Sequence, residues 1–436
     1  MNKKMVQWLY QELPGLVSNG VISEESAHKL REHYGEIKSV GKKWFVIVVC
    51  SVLGALLIGL GIISLFAHNW EDLSRPVRTV LSLLPLLAGQ GFALWVFLNR
   101  PQSDSLKESS ATFLSLMVGS AMALITQTYH ITGNTADFVL SWMLLIVPLV
   151  YFLKATIPAM IYVVGISAWV GFFWDKLLEA FFFWPLLAVI VPHFIWGLKE
   201  DKYSLRSALL ALVLATGVCF GAGFSLGKWL PSAWIIIYSC LTTIFYFLGT
   251  WEFKGISTQW QGPFHVLGGL GVFVMMFLLG FKFPWEFLGE RPYFYHYDLT
   301  FWQALPDYIL TFFLVGISLL MFFQCVKRKD GMCASFGALP LVALTGYALG
   351  GYSPDFSMIL FNVFLFAVSI IRIRLGIRLN NLGVINSGML MLAALILARF
   401  FGSEMNFVIK GLIFIGVGIG FLATNAMILR RKGGES

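Results

Sequence analysis

The sequence is poor in charged residues. Only 12% of its 436 residues are Asp, Glu, Lys or Arg, whereas 58% are hydrophobic, and the mean hydropathy is +0.78. Soluble domains carry roughly 25% charged residues, because their surfaces face water. The composition therefore excludes an ordinary soluble domain and indicates an integral membrane protein.

Patterns typical of catalysis or metal binding are also scarce. The five cysteines form no CxxC pair and no Cys/His ligand spacing, so the sequence predicts no disulfide, no metal site and no cofactor. No nucleophile motif or glycine-rich phosphate loop accompanies the few histidines and acids. We therefore do not expect an enzyme, and an intramembrane enzyme is only the third alternative.

Long apolar runs dominate what is present. In lipid every backbone polar group must be satisfied within its own segment, so these runs predict an all-α polytopic fold of about fourteen transmembrane helices, with twelve to fourteen as the range. The predicted spans begin near Trp44, Pro76, Ser109, Phe138, Ala155, Ala180, Ser204, Pro231, Pro263, Gln303, Ala334, Ser357, Asn380 and Asn406.

Basic residues alternate between the two sides of this arrangement. With the N-terminus in the cytoplasm, cytoplasmic loops carry 23 of the 31 Lys and Arg residues, among them Arg372, Arg374 and Arg378. Short basic loops stay in the cytoplasm, so both termini are predicted there. The net charge of +8 then reflects topology and contact with anionic lipid rather than a nucleic-acid partner.

Three regions follow from these patterns. Residues 1–43 are predicted to form a cytoplasmic helical hairpin that turns at Asn19-Gly20. Residues 44–430 form the transmembrane domain, and residues 431–436 form a cytoplasmic tail. The hairpin either packs on the membrane surface or binds a protein partner.

Two outer loops each carry polar residues where a span ends. An interfacial cap of hydrogen bonds, a small polar pocket with stacking rings, and an acid/base pair of His68 with Asp137 remain open as interpretations. The candidate outer cluster is His68, Asn69, Trp70, Gln127, Tyr129 and Asp137.

The N-terminal part of the chain resembles a known family. A glycine-rich first span ends in AHNW, the third span ends in QTY with Gly133 following, and Trp142 and Pro148 lie in the next span. These elements, in this order, resemble the bacterial membrane-protein family catalogued as domain of unknown function 2157, most strongly over residues 5–170. The resemblance implies a multi-pass protein of the bacterial inner membrane and no particular activity.

Within the predicted spans, the candidate polar residues are neutral: they are Gln90, Asn362, Asn386 and Asn425. They either bridge helices or line a neutral path. His193 is expected to be a hydrogen-bonded imidazole near the cytoplasmic interface, and the aromatic loop 282–303 is expected to lie flat in the outer interface.

Three functional classes remain. A transporter- or flippase-like protein for an uncharged or lipidic solute is favoured by the number of spans, the neutral polar residues and a possible parallel repeat, in which ITQTYHITGNTADF resembles ALTGYALGGYSPDF. The alternative is a non-transporting scaffold or sensor that binds a partner through outer loops or the hairpin. The enzyme comes third.

Overall fold

The computed structural model describes residues 73–173, 176–200, 204–226, 232–252, 262–286, 288 and 301–402, parts of 9–34, and residues 415, 418 and 419. This part of the chain is helical and contains no strand. Its helices are α1 (Glu24–Tyr34), α2 (Arg75–Asn99), α3 (Asp104–Tyr129), α4 (Thr135–Phe152), α5 (Thr156–Gly171), α6 (Leu177–Phe181), α7 (Phe183–Ala188), α8 (Val191–Glu200), α9 (Leu205–Ser225), α10 (Trp234–Glu252), α11 (Pro263–Leu278), α12 (Phe283–Glu286), α13 (Phe301–Lys327), α14 (Gly331–Gly337), α15 (Leu339–Gly350), α16 (Pro354–Arg378) and α17 (Leu382–Gly402).

Ten of the described helical segments are long and apolar enough to cross a membrane. The apolar helices α5 and α11 have 16 residues each, which is shorter than the roughly 20 that a full span needs. The spans predicted near Trp44 and Asn406 lie outside the described residues. The membrane class is confirmed, while the count of fourteen and the orientation stay predictions.

Helix starts follow local sequence signals. The side chains of Asn134, Ser204 and Asp330 accept hydrogen bonds from the backbone N–H three residues later, at 2.6, 3.1 and 3.0 Å, as N-cap residues do. Two predicted spans are interrupted, because α8 and α15 each begin afresh with Pro192 or Pro340 in their first turn. Proline lacks the N–H that would continue the preceding helix.

The chain divides into two compact units. The first comprises Met1–Leu84 and Ala123–Ile131, and the second comprises Pro85–Met122 and Thr132–Ser436. The second contains two large apolar cores. One is built by α4, α5, α7 and α9 around Met143, Tyr162 and Phe183, and the other by α10, α11 and α14–α17 around Tyr246 and Trp285.

Glycine lets several of these helices approach closely. A Cβ at Gly119 would overlap the ring of Trp142, and one at Gly268 would overlap the backbone of Tyr246. Trp142 also donates its Nε1–H to the carbonyl of Ser115 at 2.8 Å. In lipid, close packing of this kind replaces the hydrophobic drive as the main attraction between helices.

The start of the aromatic loop differs from the prediction. Trp285 is 1% exposed and packs in the second core, where it donates its Nε1–H to the Leu279 carbonyl at 2.9 Å. Gly346 and Gly350 leave room for its ring, because a Cβ at either would lie 3.1 Å from it. Pro284, Trp285 and Leu288 are therefore buried rather than flat in the interface, whereas Lys282, Phe283, Glu286 and Trp302 of the same loop are exposed.

Candidate functional site

An open groove lies between α5 and α9. Its volume is about 270 Å³. The lining side chains recur at helical spacing on one face of each helix: they are Val163, Val164, Ser167, Ala168, Val213, Thr216, Gly217 and Phe220. We call this feature the α5–α9 groove.

The groove offers no unsatisfied polar group to a ligand. The Ser167 hydroxyl donates to the Val163 carbonyl at 2.7 Å, and the Thr216 hydroxyl donates to carbonyls of its own helix at 3.0 Å. Val164 and Phe220 are more than half exposed at the rim. The groove thus has the chemistry to hold hydrocarbon, and its volume falls slightly below the roughly 300 to 1,000 Å³ of pockets that enclose whole small ligands.

Glycine at position 217 shapes this groove. A Cβ there would lie 2.8 Å from Val163 and 3.3 Å from the Ser167 hydroxyl. The neighbouring Gly221 is covered by the ring of Phe183. Both glycines therefore serve helix packing, and Gly217 in addition keeps the floor of the groove open.

The predicted outer cluster is only partly described. His68, Asn69 and Trp70 lie outside the described residues. In the first compact unit, Gln127 is exposed and the half-exposed Tyr129 places its hydroxyl 3.0 Å from that of Thr79. Asp137, in the second unit, is exposed in the first turn of α4 and donates its backbone N–H to Asn134. The cluster stays a prediction.

The four neutral intramembrane candidates have different surroundings. Asn362 bridges helices: its Nδ2 donates to the carbonyl of Gly280 at 3.0 Å and to that of Met358 at 2.6 Å. Gln90 and Asn386 are exposed on their helices, and Asn425 lies outside the described residues. The contacts of Asn362 are those of a helix bridge.

Arg399 completes the surroundings of Asn362, which the sequence did not reveal. Its Nε donates to Asn362 Oδ1 at 2.9 Å, and its Nη2 donates to the Gly280 carbonyl. Its Nη1 lies 3.9 Å from the Met358 sulfur. Gly280 follows the end of α11, where unpaired carbonyls and the helix dipole favour a cation.

The sequence predicted that Arg372 lies in a loop between spans, but the structure places it within a helix. Helix α16 continues to Arg378, and Arg372 is 6% exposed within it. Gly376 and Gly388 bring the backbones of α16 and α17 together, since a Cβ at either glycine would lie within 3 Å of atoms of the other helix. The signal in the sequence was the apolar setting of Arg372 and the glycine four residues later.

Two further buried polar groups were missed or misjudged. Glu108 is 7% exposed and accepts the backbone N–H of Thr156 at 2.8 Å and of Ile157 at 3.0 Å, so it caps α5 from a neighbouring helix. His193 is 5% exposed, and its Nδ1 has no hydrogen-bond partner. The prediction that the imidazole of His193 is hydrogen-bonded is therefore wrong for Nδ1.

Within the described ranges, no three His, Cys, Asp or Glu side chains are placed to hold a metal ion together.

Comparison with known proteins gives a family for one part of the chain. No curated protein and no solved structure matches the chain. Residues 14–159 match the family described as predicted membrane protein (DUF2157), which confirms the resemblance that the AHNW and QTY elements indicated.

Proposed function

We propose that this protein is a transporter- or flippase-like protein of the bacterial inner membrane, with both termini cytoplasmic, and that it binds an uncharged or lipidic solute. The α5–α9 groove is the observation that carries the proposal. It is open on one side, and its lining side chains are apolar except for the internally bonded hydroxyls of Ser167 and Thr216. A hydrocarbon chain needs only such a surface.

The length of α5 supports the same role. With 16 residues, α5 spans roughly 24 Å at 1.5 Å per residue, which is less than the roughly 30 Å of the hydrocarbon core. A short apolar helix thins the bilayer beside it. Thinning beside a groove lowers the barrier for a lipid to change leaflets.

The proposal is tested with a variant whose larger side chain fills the α5–α9 groove. Ala168 is exposed and lines it, so Ala168→Phe would occupy the groove without entering the core. Ala88→Phe, at an exposed position of α2, is the matched control. Both variants and the wild type are reconstituted in vesicles that contain a photoreactive lipid and a fluorescent phospholipid.

We expect the photoreactive lipid to label α5 and α9 and the fluorescent lipid to change leaflets, and we expect Ala168→Phe alone to reduce both signals. Labelling that Ala168→Phe leaves unchanged would remove the groove as the binding site. Labelling without leaflet exchange would contradict the transporter class and favour the scaffold alternative.

The scaffold or sensor reading has its own support in α1. Residues 24–29 of this short helix are exposed except for Ala27, and they carry a surface ion pair, with Lys29 Nζ 2.8 Å from Glu25. A charged, exposed helix is a suitable surface for a protein partner. Deleting residues 1–34 while leaving leaflet exchange intact would assign α1 to partner binding and the membrane helices to transport.

A further inference from the structure

Two hydrogen-bond donors lie buried and unpartnered where α10, α14, α16 and α17 meet. Arg372 is 6% exposed, and its Nη1 has neither solvent contact nor a hydrogen-bond partner. The hydroxyl of Tyr246, a residue 1% exposed, has no acceptor for its proton. Its oxygen faces the Arg372 guanidinium, which interacts with it through charge and as a hydrogen-bond donor. Buried donors without acceptors are uncommon, because each loses its hydrogen bonds to water and gains none in return.

The remaining contacts of Arg372 fix the side chain but supply no negative charge. Its Nε donates to the Ser387 hydroxyl at 3.0 Å, and that hydroxyl donates a hydrogen bond to the Val384 carbonyl at 2.7 Å. The guanidinium lies over the ring of Phe336, 4.3 Å from its centre. The ring attracts a cation only weakly compared with a carboxylate.

No carboxylate in the described part of the chain forms an ion pair with Arg372. The carboxylate of Asp330 interacts electrostatically with the hydroxyl of Tyr246. Asp330 is exposed, and its carboxylate already accepts the backbone N–H of Cys333 at the start of α14. Among the residues that the structure describes, this buried guanidinium therefore has no counter-charge of the kind that such groups have in membrane proteins.

We infer that Arg372 and Tyr246 form a binding site for the phosphate group of an anionic ligand, either a lipid head group or free phosphate. The site shares no residue with the α5–α9 groove and does not depend on it. Guanidinium donors match the oxygens of phosphate in geometry and charge. The Tyr246 hydroxyl adds a third, neutral donor.

The surroundings of this phosphate site favour an anion that arrives from the end of α16. Arg378 is exposed on the same helix, less than two turns beyond Arg372. His265 is exposed beside Tyr246, with the two rings 5.4 Å apart. The positive charge of Arg378 raises the local concentration of anions.

The experiment measures the melting temperature of the full chain in a neutral detergent. Sodium phosphate is titrated at constant ionic strength against sodium chloride, and dihexanoyl phosphatidylglycerol is titrated separately. We expect the melting temperature of the wild type to rise with phosphate, with the lipid, or with both. A rise with the lipid alone identifies a head group, and a rise with phosphate alone identifies the free ion.

Three variants test the assignment. Arg372→Met should abolish the rise, and Tyr246→Phe, which keeps the ring, should weaken binding at least about tenfold, as expected for a hydrogen bond to a charged group. Arg374→Gln removes the same charge from an exposed position of α16 and should retain the rise. If Arg372→Met does not fold, Tyr246→Phe carries the test.

An equal rise in Tyr246→Phe and wild type would overturn the site, as would an equal rise in Arg372→Met. The absence of any rise in the wild type would overturn it too. Equal stabilisation by chloride at the same ionic strength would overturn the assignment to phosphate.

Discussion

Arg399 and Arg372 sit on adjacent, antiparallel helices and meet opposite surroundings. Both guanidinium groups lie over an aromatic ring. Arg399 also donates to an amide oxygen and a backbone carbonyl and contacts a sulfur, whereas Arg372 contacts only the hydroxyls of Ser387 and Tyr246 among the described polar groups. Arg399 contacts α16 at Asn362, and Arg372 is part of α16 ten residues further along. These two positions are roughly 15 Å apart along the helix. The same residue type thus closes a helix end at one place and keeps an unpartnered donor at the other.

Glu108 extends this comparison to a buried anion that is fully partnered. Glu108→Ala removes two charge-assisted hydrogen bonds and leaves the first amides of α5 without acceptors. We expect the free energy of unfolding to fall by about 3 kcal/mol, the largest of these effects. Thermal unfolding in detergent measures it.

Asp104 provides the control for Glu108. It lies in the first turn of the same helix, and its ion pair with Arg206, at 3.2 Å, is exposed. Asp104→Ala should change stability by no more than about 0.5 kcal/mol. Equal losses in the two variants would mean that charge near the start of α3, rather than the cap on α5, stabilises the protein.

Asn362→Leu would break the partnered side of the comparison. It removes the acceptor of Arg399 Nε and a donor to the Gly280 carbonyl. We expect a loss of about 2 kcal/mol in thermal unfolding, because the Nε–H of the partly buried Arg399 is left without its acceptor. Asn386→Leu, at an exposed position of α17, should have little effect, and a similar loss there would contradict the bridging role of Asn362.

Arg372→Met tests the arginine that lacks a charged partner. Apart from the control variants, it should have the smallest effect on stability in the absence of phosphate. Replacing a buried charge that lacks a counter-ion with an apolar side chain of similar length is neutral or slightly stabilising, within about 1 kcal/mol. Arg399→Met, the same substitution at the partnered position, should be destabilising. A comparable loss at both positions would show that Arg372 is satisfied by its present neighbours.

The sequence predicted the membrane class, the helical fold and the positions of most spans, because lipid imposes a length and a polarity on every crossing segment. It also indicated the family over residues 14–159. These properties are local, since they depend on composition within about twenty residues. Helix starts such as the one capped by Asn134 are local for the same reason.

Contacts between distant segments were decided only by the tertiary structure. Glu108 finds its partners 48 and 49 residues away, and Arg399 reaches a carbonyl 119 residues away. The burial of Arg372 depends on glycines on two helices that let their backbones meet. The sequence alone therefore determined which segments belong in the membrane. The packing of those segments decided which polar side chains are paired and which are left without a hydrogen-bond partner, because pairing requires an acceptor within about 3 Å.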